Sequence, residues 1–275
     1  MPVAVELGPT QTTLLVPLLG RAVETRKRRG LVHDPKAVEI VEALDFDFAQ
    51  WTGKPSLMGA SLRTAMFDED VQAFLDEHPE GTVVEIGAGL NTRYERLDNG
   101  RARWFELDLP DSMALRQQFF EDTERRTMIA GSALDTDWHD RVAETGGPWC
   151  FVSEAVLIYL DGPDVERVVR SLGTQFSGSW LVIDTTARAM VEGQDRHDVM
   201  KTLPRESWFR WICDDPAALE AWGTKLERSR TFADAGPEIV ARLPWYYRAM
   251  LWLAPGLLRR RVDGYRLNRF TLTGG

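Results

Sequence analysis

Between positions 11 and 80, apolar residues recur at helical spacing. Leu14, Leu15, Leu18, Leu19, Ala22 and Val23 repeat every three to four positions, predicting a helix over 11–29 that ends at Gly30. A second helix follows "HDP", from Pro35 to about Ala43, and a third covers 57–77 with Leu62, Met66, Val71, Phe74 and Leu75 on its apolar face. From position 82 the texture changes to short apolar runs: "TVVEI" (82–86), "ARWFEL" (102–107), "RTMIA" (126–130), "WCFVS" (149–153) and "SWLVID" (179–184). Amphipathic stretches separate them, most clearly where Val165, Val168, Val169 and Leu172 fall at i, i+3, i+4 and i+7. Strands alternating with helices predict βαβ units, a mainly parallel sheet covered on both faces, and hence a nucleotide-binding α/β core.

After Asp184 the alternation breaks into a charged, aromatic-rich insertion over about 186–225, placed where a lid or substrate-binding element belongs. A strand near 226–232, a helix over 235–242, a Trp-rich helix over 245–253 and a last strand in "DGYRLNRFTL" complete the chain. The expected organisation is one unit, with a helical cap over 1–80 on a core over 81–275.

Composition narrows the partners. The chain has 275 residues and a net charge of -9, which argues against a nucleic acid held through its phosphates. The basic clusters Arg26 to Arg29 and Arg259 to Arg261 read as solvated helix ends. Cys150 and Cys213 suggest neither a disulfide framework nor a C-x-x-C motif, so a reducing, cytoplasmic setting is expected. The longest late apolar run, "AMLWLAPGLL", is about half a membrane span, so no transmembrane segment is expected.

The chemistry starts at "VVEIGAGLNT", residues 83–92. Gly87 and Gly89 follow an apolar run, where the first strand-to-helix turn of an open α/β sheet meets its ligand, and both would let backbone approach it. A dinucleotide fingerprint needs a third glycine at position 92, where this chain has Thr92. Glu106 and Asp108 lie 19 and 21 residues after Gly87, about where an acid meets ribose hydroxyls. An acid there disfavours NADP and leaves NAD and S-adenosylmethionine; the missing glycine leans toward the phosphate-free methyl donor.

"RRGLVHDP", "SLRT", "VVEIGAGLNTRYERL", "WFELDLPD", "VSEAVLIYL" and the terminal "YRLNRFTL" together resemble the leucine carboxyl methyltransferase family, especially its branch of tetracenomycin-type polyketide O-methyltransferases. The resemblance implies a Rossmann-like class I methyltransferase: a seven-stranded, mostly parallel sheet with helices on both faces, an N-terminal helical cap and a lid after the fifth strand. It implies S-adenosyl-L-methionine as cofactor and assigns residues to it. Arg63 matches the arginine on the donor's methionine carboxylate, and Arg29 sits where the family has a lysine near the same group. The stretch Glu85, Gly87, Ala88, Gly89, Asn91 and Thr92 forms the donor loop, Asp108 or Glu106 the ribose acid, and Glu154 with Ala155 the site of the donor's amino group. At the adenine contact the family has Asp-Leu, whereas this chain has Ala133-Leu134, which leaves Ser132, Leu134 or Asp135 to meet the base. A guanidinium for the carboxylate and an acid for the ammonium is also what the donor's zwitterionic end requires.

No metal is expected, because Asp135 and Asp137 read equally well as acids at a helix start. His33, His78, His139 and His197 show no ligand spacing; His197 in "DRHD" is the single candidate base. Trp208, Trp211, Tyr246 and Tyr247 are the candidate acceptor contacts, with Phe209, Trp245 and Trp252 nearby. The expected activity is O-methylation of a carboxylate or phenol on a hydrophobic, polyketide-like or aromatic small molecule, with no nucleic acid partner; a homodimer is compatible with the chain. The alternatives are a protein C-terminal carboxyl methyltransferase, an NAD-dependent oxidoreductase and a non-catalytic donor-binding protein.

Overall fold

A computed structural model describes residues 2–249 and 264–274. The predicted Trp-rich helix is described only through residue 249, and Trp252 and Arg259 to Arg261 lie outside the described residues. The chain opens with β1 (Val3–Ala4), then α1 (Leu15–Thr25), α2 (Pro35–Ala43), β2 (Leu44–Asp45) and α3 (Pro55–Glu77). Helix α1 is entered through a 3-10 turn, Gln11–Leu14. Pro17 contributes to that: it has no N–H to donate back to the carbonyl of Thr13. Leu15, Leu18, Leu19 and Ala22 are buried as the pattern predicts, in a small core with Ile40 and Trp51. Asp34 caps α2 by accepting from Ala37 N at 2.9 Å, with Pro35 in the first turn. Helix α3 packs on α1 and also meets the sheet, burying Leu62, Met66, Phe67, Val71 and Phe74 in the main core.

The sheet strands are β3 (Thr82–Ile86), β4 (Arg103–Asp108), β5 (Arg126–Ala130), β6 (Trp149–Ser153), β7 (Trp180–Thr186), β8 (Thr224–Arg230) and β9 (Tyr265–Leu272). Their spatial order is β5-β4-β3-β6-β7-β9-β8. Pairs among the first five are parallel, and β9 runs antiparallel between β7 and β8. The strand order reverses between β3 and β6, opening a crevice at their carboxyl ends, where ligands bind in such sheets. All of β3 is buried, as expected for a parallel strand covered on both faces. Short helices α4 (Arg93–Leu97), α5 (Pro110–Arg116) and α6 (His139–Ala143) connect the strands, and α7 (Gly162–Gln175) buries Val165, Val168, Val169 and Leu172.

The insertion after β7 consists of α8 (Arg188–Glu192) and a series of short 3-10 turns; α9 (Pro237–Arg242) follows β8. Asp198 ties the insertion to the distant start of α3. Lys54 at that helix's N-cap supplies no side-chain bond, and Asp198 instead accepts from Ser56 N at 3.2 Å and from its hydroxyl. A carboxylate at a helix N-terminus satisfies orphan N–H groups and opposes the helix dipole.

Candidate active site

A cavity of about 480 Å³ opens at the carboxyl ends of β3 to β6. Its floor is the loop after β3, with Gly87, Ala88, Gly89 and Asn91 all lining it. Both glycines have positive φ, +74° and +47°. At Gly87 the side chain of Val156 also forbids a Cβ, which would sit 2.2 Å from it, so packing as well as backbone conformation requires glycine there. Asp108 at the end of β4 takes Gly89 N at 2.6 Å and Leu109 N at 2.7 Å. Burial pushes its carboxyl up from the ordinary value against the pull of those two N–H groups and of Arg116. Ser132, Ala133 and Leu134 after β5, and Glu154 and Ala155 after β6, complete the wall.

Glu154 is the best-held acid of the site. Its Oε1 accepts from Arg63 Nε at 2.9 Å and from the Thr64 hydroxyl at 2.8 Å, and its Oε2 accepts from Arg93 Nη2 at 2.6 Å. Burial alone would raise its pKa, but Arg63 and Arg93 together hold it down to about 2. Arg63, Gly87, Asp108 and Glu154, named from sequence, are thus brought around one cavity.

Other expected donor residues lie elsewhere. Arg29 is exposed beside a separate surface hollow, because the chain beyond α1 turns outward at the basic cluster. Arg21 lines the cavity instead, held by Asp34 at 2.8 Å and donating to the carbonyl of Leu90 at 2.7 Å. Its sequence signal was an arginine between Leu18 and Ala22 on an apolar face. Glu106 does not line the cavity; it is buried between Arg116 and Arg126, leaving Asp108 as the acid there. Glu85 is likewise buried against Arg93. Thr92 is fully buried and donates to Asp34, so its place in the motif serves the junction between α2 and the loop. Asp135 and Asp137 are exposed, and among the described residues no group of three His, Cys, Asp or Glu could hold a metal ion.

Beyond these groups the lining is largely apolar and aromatic: Tyr159, Met190, Met200, Leu203, Phe209, Phe232, Tyr247 and Tyr265. Of the four aromatics expected to meet the acceptor, Tyr247 is there. Trp208 turns its indole N–H to the carbonyl of Met200 at 3.0 Å, Trp211 is buried against Trp222, and Tyr246 is 57% exposed. His197 lines the cavity, but its ring nitrogens are engaged. Nδ1 accepts from Val199 N at 3.3 Å and Met200 N at 3.1 Å, which places the proton of the neutral ring on Nε2, 3.2 Å from Ser56 Oγ. With both ring nitrogens engaged, His197 clasps the insertion to α3.

A glycine loop, a carboxylate at the next strand end and a paired acid and guanidinium thus stand together at the crevice of this Rossmann-like sheet. Residues 15–173 match the family model "Leucine carboxyl methyltransferase". The chain belongs to that family. It is 31% identical over 219 residues to the tetracenomycin polyketide synthesis O-methyltransferase TcmP of Streptomyces glaucescens, covering 79% of this chain and 80% of that protein. A Parafrankia protein, 32% identical over 48% of this chain and 46% of that one, and a Mycolicibacterium vanbaalenii protein, 25% identical over 76% of each, are both named "Putative S-adenosyl-L-methionine-dependent methyltransferase". Two crystal structures share the fold. A DUF574 family protein from Streptomyces avermitilis is 16% identical, with a TM-score of 0.54 over 93% of this chain and 96% of that one. The magnesium protoporphyrin IX methyltransferase of Synechocystis with bound S-adenosylhomocysteine is 12% identical, with a TM-score of 0.50 over 82% and 94%. The cofactor is therefore S-adenosylmethionine and not NAD, and the protein is an enzyme. No helix among the described residues is long and apolar enough to cross a membrane.

Proposed function

We propose that the enzyme methylates a carboxylate or phenolic oxygen of a hydrophobic, aromatic or polyketide-like small molecule. The observation that carries this is the apolar lining of Tyr159, Met190, Met200, Leu203, Phe209, Phe232 and Tyr247 in the same cavity as Arg63, Asp108 and Glu154. The similarity to TcmP, a tetracenomycin polyketide synthesis O-methyltransferase, supports the same reading. In this reading the N-terminal helices to about residue 80 act as a cap and the insertion over 186–225 as a lid, joined by the clasp of Ser56, His197 and Asp198.

The donor supplies an electrophilic methyl group on a sulfonium, whose charge vanishes on transfer. The chain's own contribution is to orient and to exclude water. Arg63 and Glu154 meet the carboxylate and ammonium of the donor's amino-acid end, Asp108 meets the ribose, and the apolar wall holds the acceptor oxygen in line. The occupied ring of His197 favours an acceptor that arrives ionised, and a carboxylate already is at neutral pH. The test is methyl transfer from labelled donor to a panel of aromatic carboxylic acids, phenols and peptides ending in leucine. Label in the aromatic acids or phenols is expected; label in the peptides alone would overturn the reading.

A further inference from the structure

Ala155 is the one non-glycine among the described residues with positive φ, +54°, a backbone conformation that L-residues rarely adopt. It follows Glu154 directly, so the turn at Ala155 sets where the Glu154 carboxylate stands. What holds the turn comes from the next strand. Asp184 on β7 is completely buried, and its Oδ2 accepts from Ala155 N at 2.8 Å. The same oxygen accepts from the hydroxyl of Tyr265 on β9. The Tyr265 oxygen in turn accepts from Arg63 Nη1 at 3.3 Å, and Arg63 Nε donates to Glu154 at 2.9 Å. The links close into a ring through Glu154, Ala155, Asp184, Tyr265 and Arg63, drawn from α3, β7, β9 and the β6 turn.

Two further observations set Asp184 apart from a structural hydrogen-bonding residue. Its Oδ1 is buried with no partner among the described residues, so the fold retains a carboxylate where half of its accepting capacity is unused. Burial pushes its carboxyl up to about 6, against the opposing pull of Arg63 and of the Tyr265 and Ala155 donors. An unsatisfied buried acid of this kind is a cost the fold carries, and what it gives in return is the geometry of the two charged groups that line the cavity.

We propose that Asp184 is a positioning residue for donor binding: it holds Ala155 left-handed and, through Tyr265, aims Arg63, so that Glu154 and Arg63 stand preset for the two ends of the donor's amino-acid moiety. This rests on the reading that those two residues receive that moiety. Asp184 itself touches neither donor nor acceptor in this scheme.

The experiment compares two ligands by calorimetry: S-adenosylhomocysteine, and methylthioadenosine, which shares the nucleoside but lacks the amino-acid end. Asp184→Ala is expected to weaken S-adenosylhomocysteine by roughly tenfold or more, the scale on which one held backbone strain is released, while methylthioadenosine binds as in wild type. Adding Ala155→Gly to Asp184→Ala is expected to restore most of the lost affinity, because glycine adopts positive φ without the holding bond. Equal weakening of both ligands, or no recovery with glycine, would overturn the proposal. If wild type bound the two ligands equally, the assignment of Arg63 and Glu154 to the amino-acid end would fall, and the proposal with it. A wild type that prefers S-adenosylhomocysteine beside an Asp184→Ala variant whose preference is undiminished would sink the proposal alone.

Discussion

Glu106 and Asp108 stand two residues apart on one strand, and the structure separates their roles sharply enough to test. Glu106 is 1% exposed and accepts four charge-assisted hydrogen bonds, from Arg116 at 3.1 and 2.5 Å and from Arg126 at 2.8 and 2.9 Å. Glu106→Gln removes the charge that two buried guanidiniums face, and leaving a buried ion uncompensated costs about 3–5 kcal/mol. For a chain of 275 residues that corresponds to a fall in melting temperature of roughly 6–20 °C. Asp108 lines the cavity, and its backbone partners Gly89 N and Leu109 N can still be served in part by an amide oxygen. Asp108→Asn is therefore expected to melt near wild type while losing charge-assisted bonds to the ribose, about 1.5–3 kcal/mol, or roughly 10- to 150-fold in affinity. Thermal melts without ligand and calorimetry with S-adenosylhomocysteine read the two effects separately. A Glu106→Gln protein with wild-type melting, beside an Asp108→Asn protein with wild-type affinity, would refute the assignment.

Four further outcomes are expected. Arg63→Ala should weaken S-adenosylhomocysteine by about 1.5–3 kcal/mol in calorimetry, and unchanged affinity would remove it from the site. His197→Asn should keep the pH dependence of kcat, because both ring nitrogens are already engaged; a loss of roughly 100-fold with a vanished limb of the profile would restore it as the base. Asp198→Ala should cost about 1 kcal/mol of stability by uncapping α3, read as a melting shift of roughly 2–4 °C, and no shift would dismiss the long-range cap. Glu154, at about 2 against an ordinary 4.5, contributes stability that is complete above the ordinary value and is lost as pH falls toward 2. Asp184, at about 6 against 3.8, works in the opposite sense, its contribution complete below 3.8 and lost as pH rises through 6. Glu154→Gln should flatten the acid limb of melting temperature against pH, and an unchanged limb would contradict the strong pairing with Arg63 and Arg93.

Periodicity was enough to place most elements. The runs at 82–86, 126–130 and 149–153 are strands with those bounds, and 35–43 is α2. Local physics suffices there, since covered parallel strands read as continuous apolar runs and a proline after an acid starts a helix. The meeting of the glycine loop, Asp108, Arg63 and Glu154 at one cavity was also legible, because a turn and a carboxylate at adjacent strand ends meet through the order of the sheet.

Charge partnership was not legible, because it is a long-range property. The strand that ends at Asp108 also carries Glu106, and only the approach of Arg116 and Arg126 decides that Glu106 is structural. Arg29 and Arg21 lie on the same N-terminal segment, yet the outward turn after α1 exposes one and the loop at Leu90 draws in the other. Asp184 ends an apolar run, just as Glu154 follows one. Its service to Ala155 and Tyr265 depends on β9 entering the sheet between β7 and β8. The sequence by itself determined the elements and the family chemistry, because both follow from patterns within a few residues. The tertiary structure decided which charged groups face the cavity and which neutralise one another, because that depends on partners distant in sequence, 91 residues apart for Arg63 and Glu154 and 161 for Glu69 and Arg230.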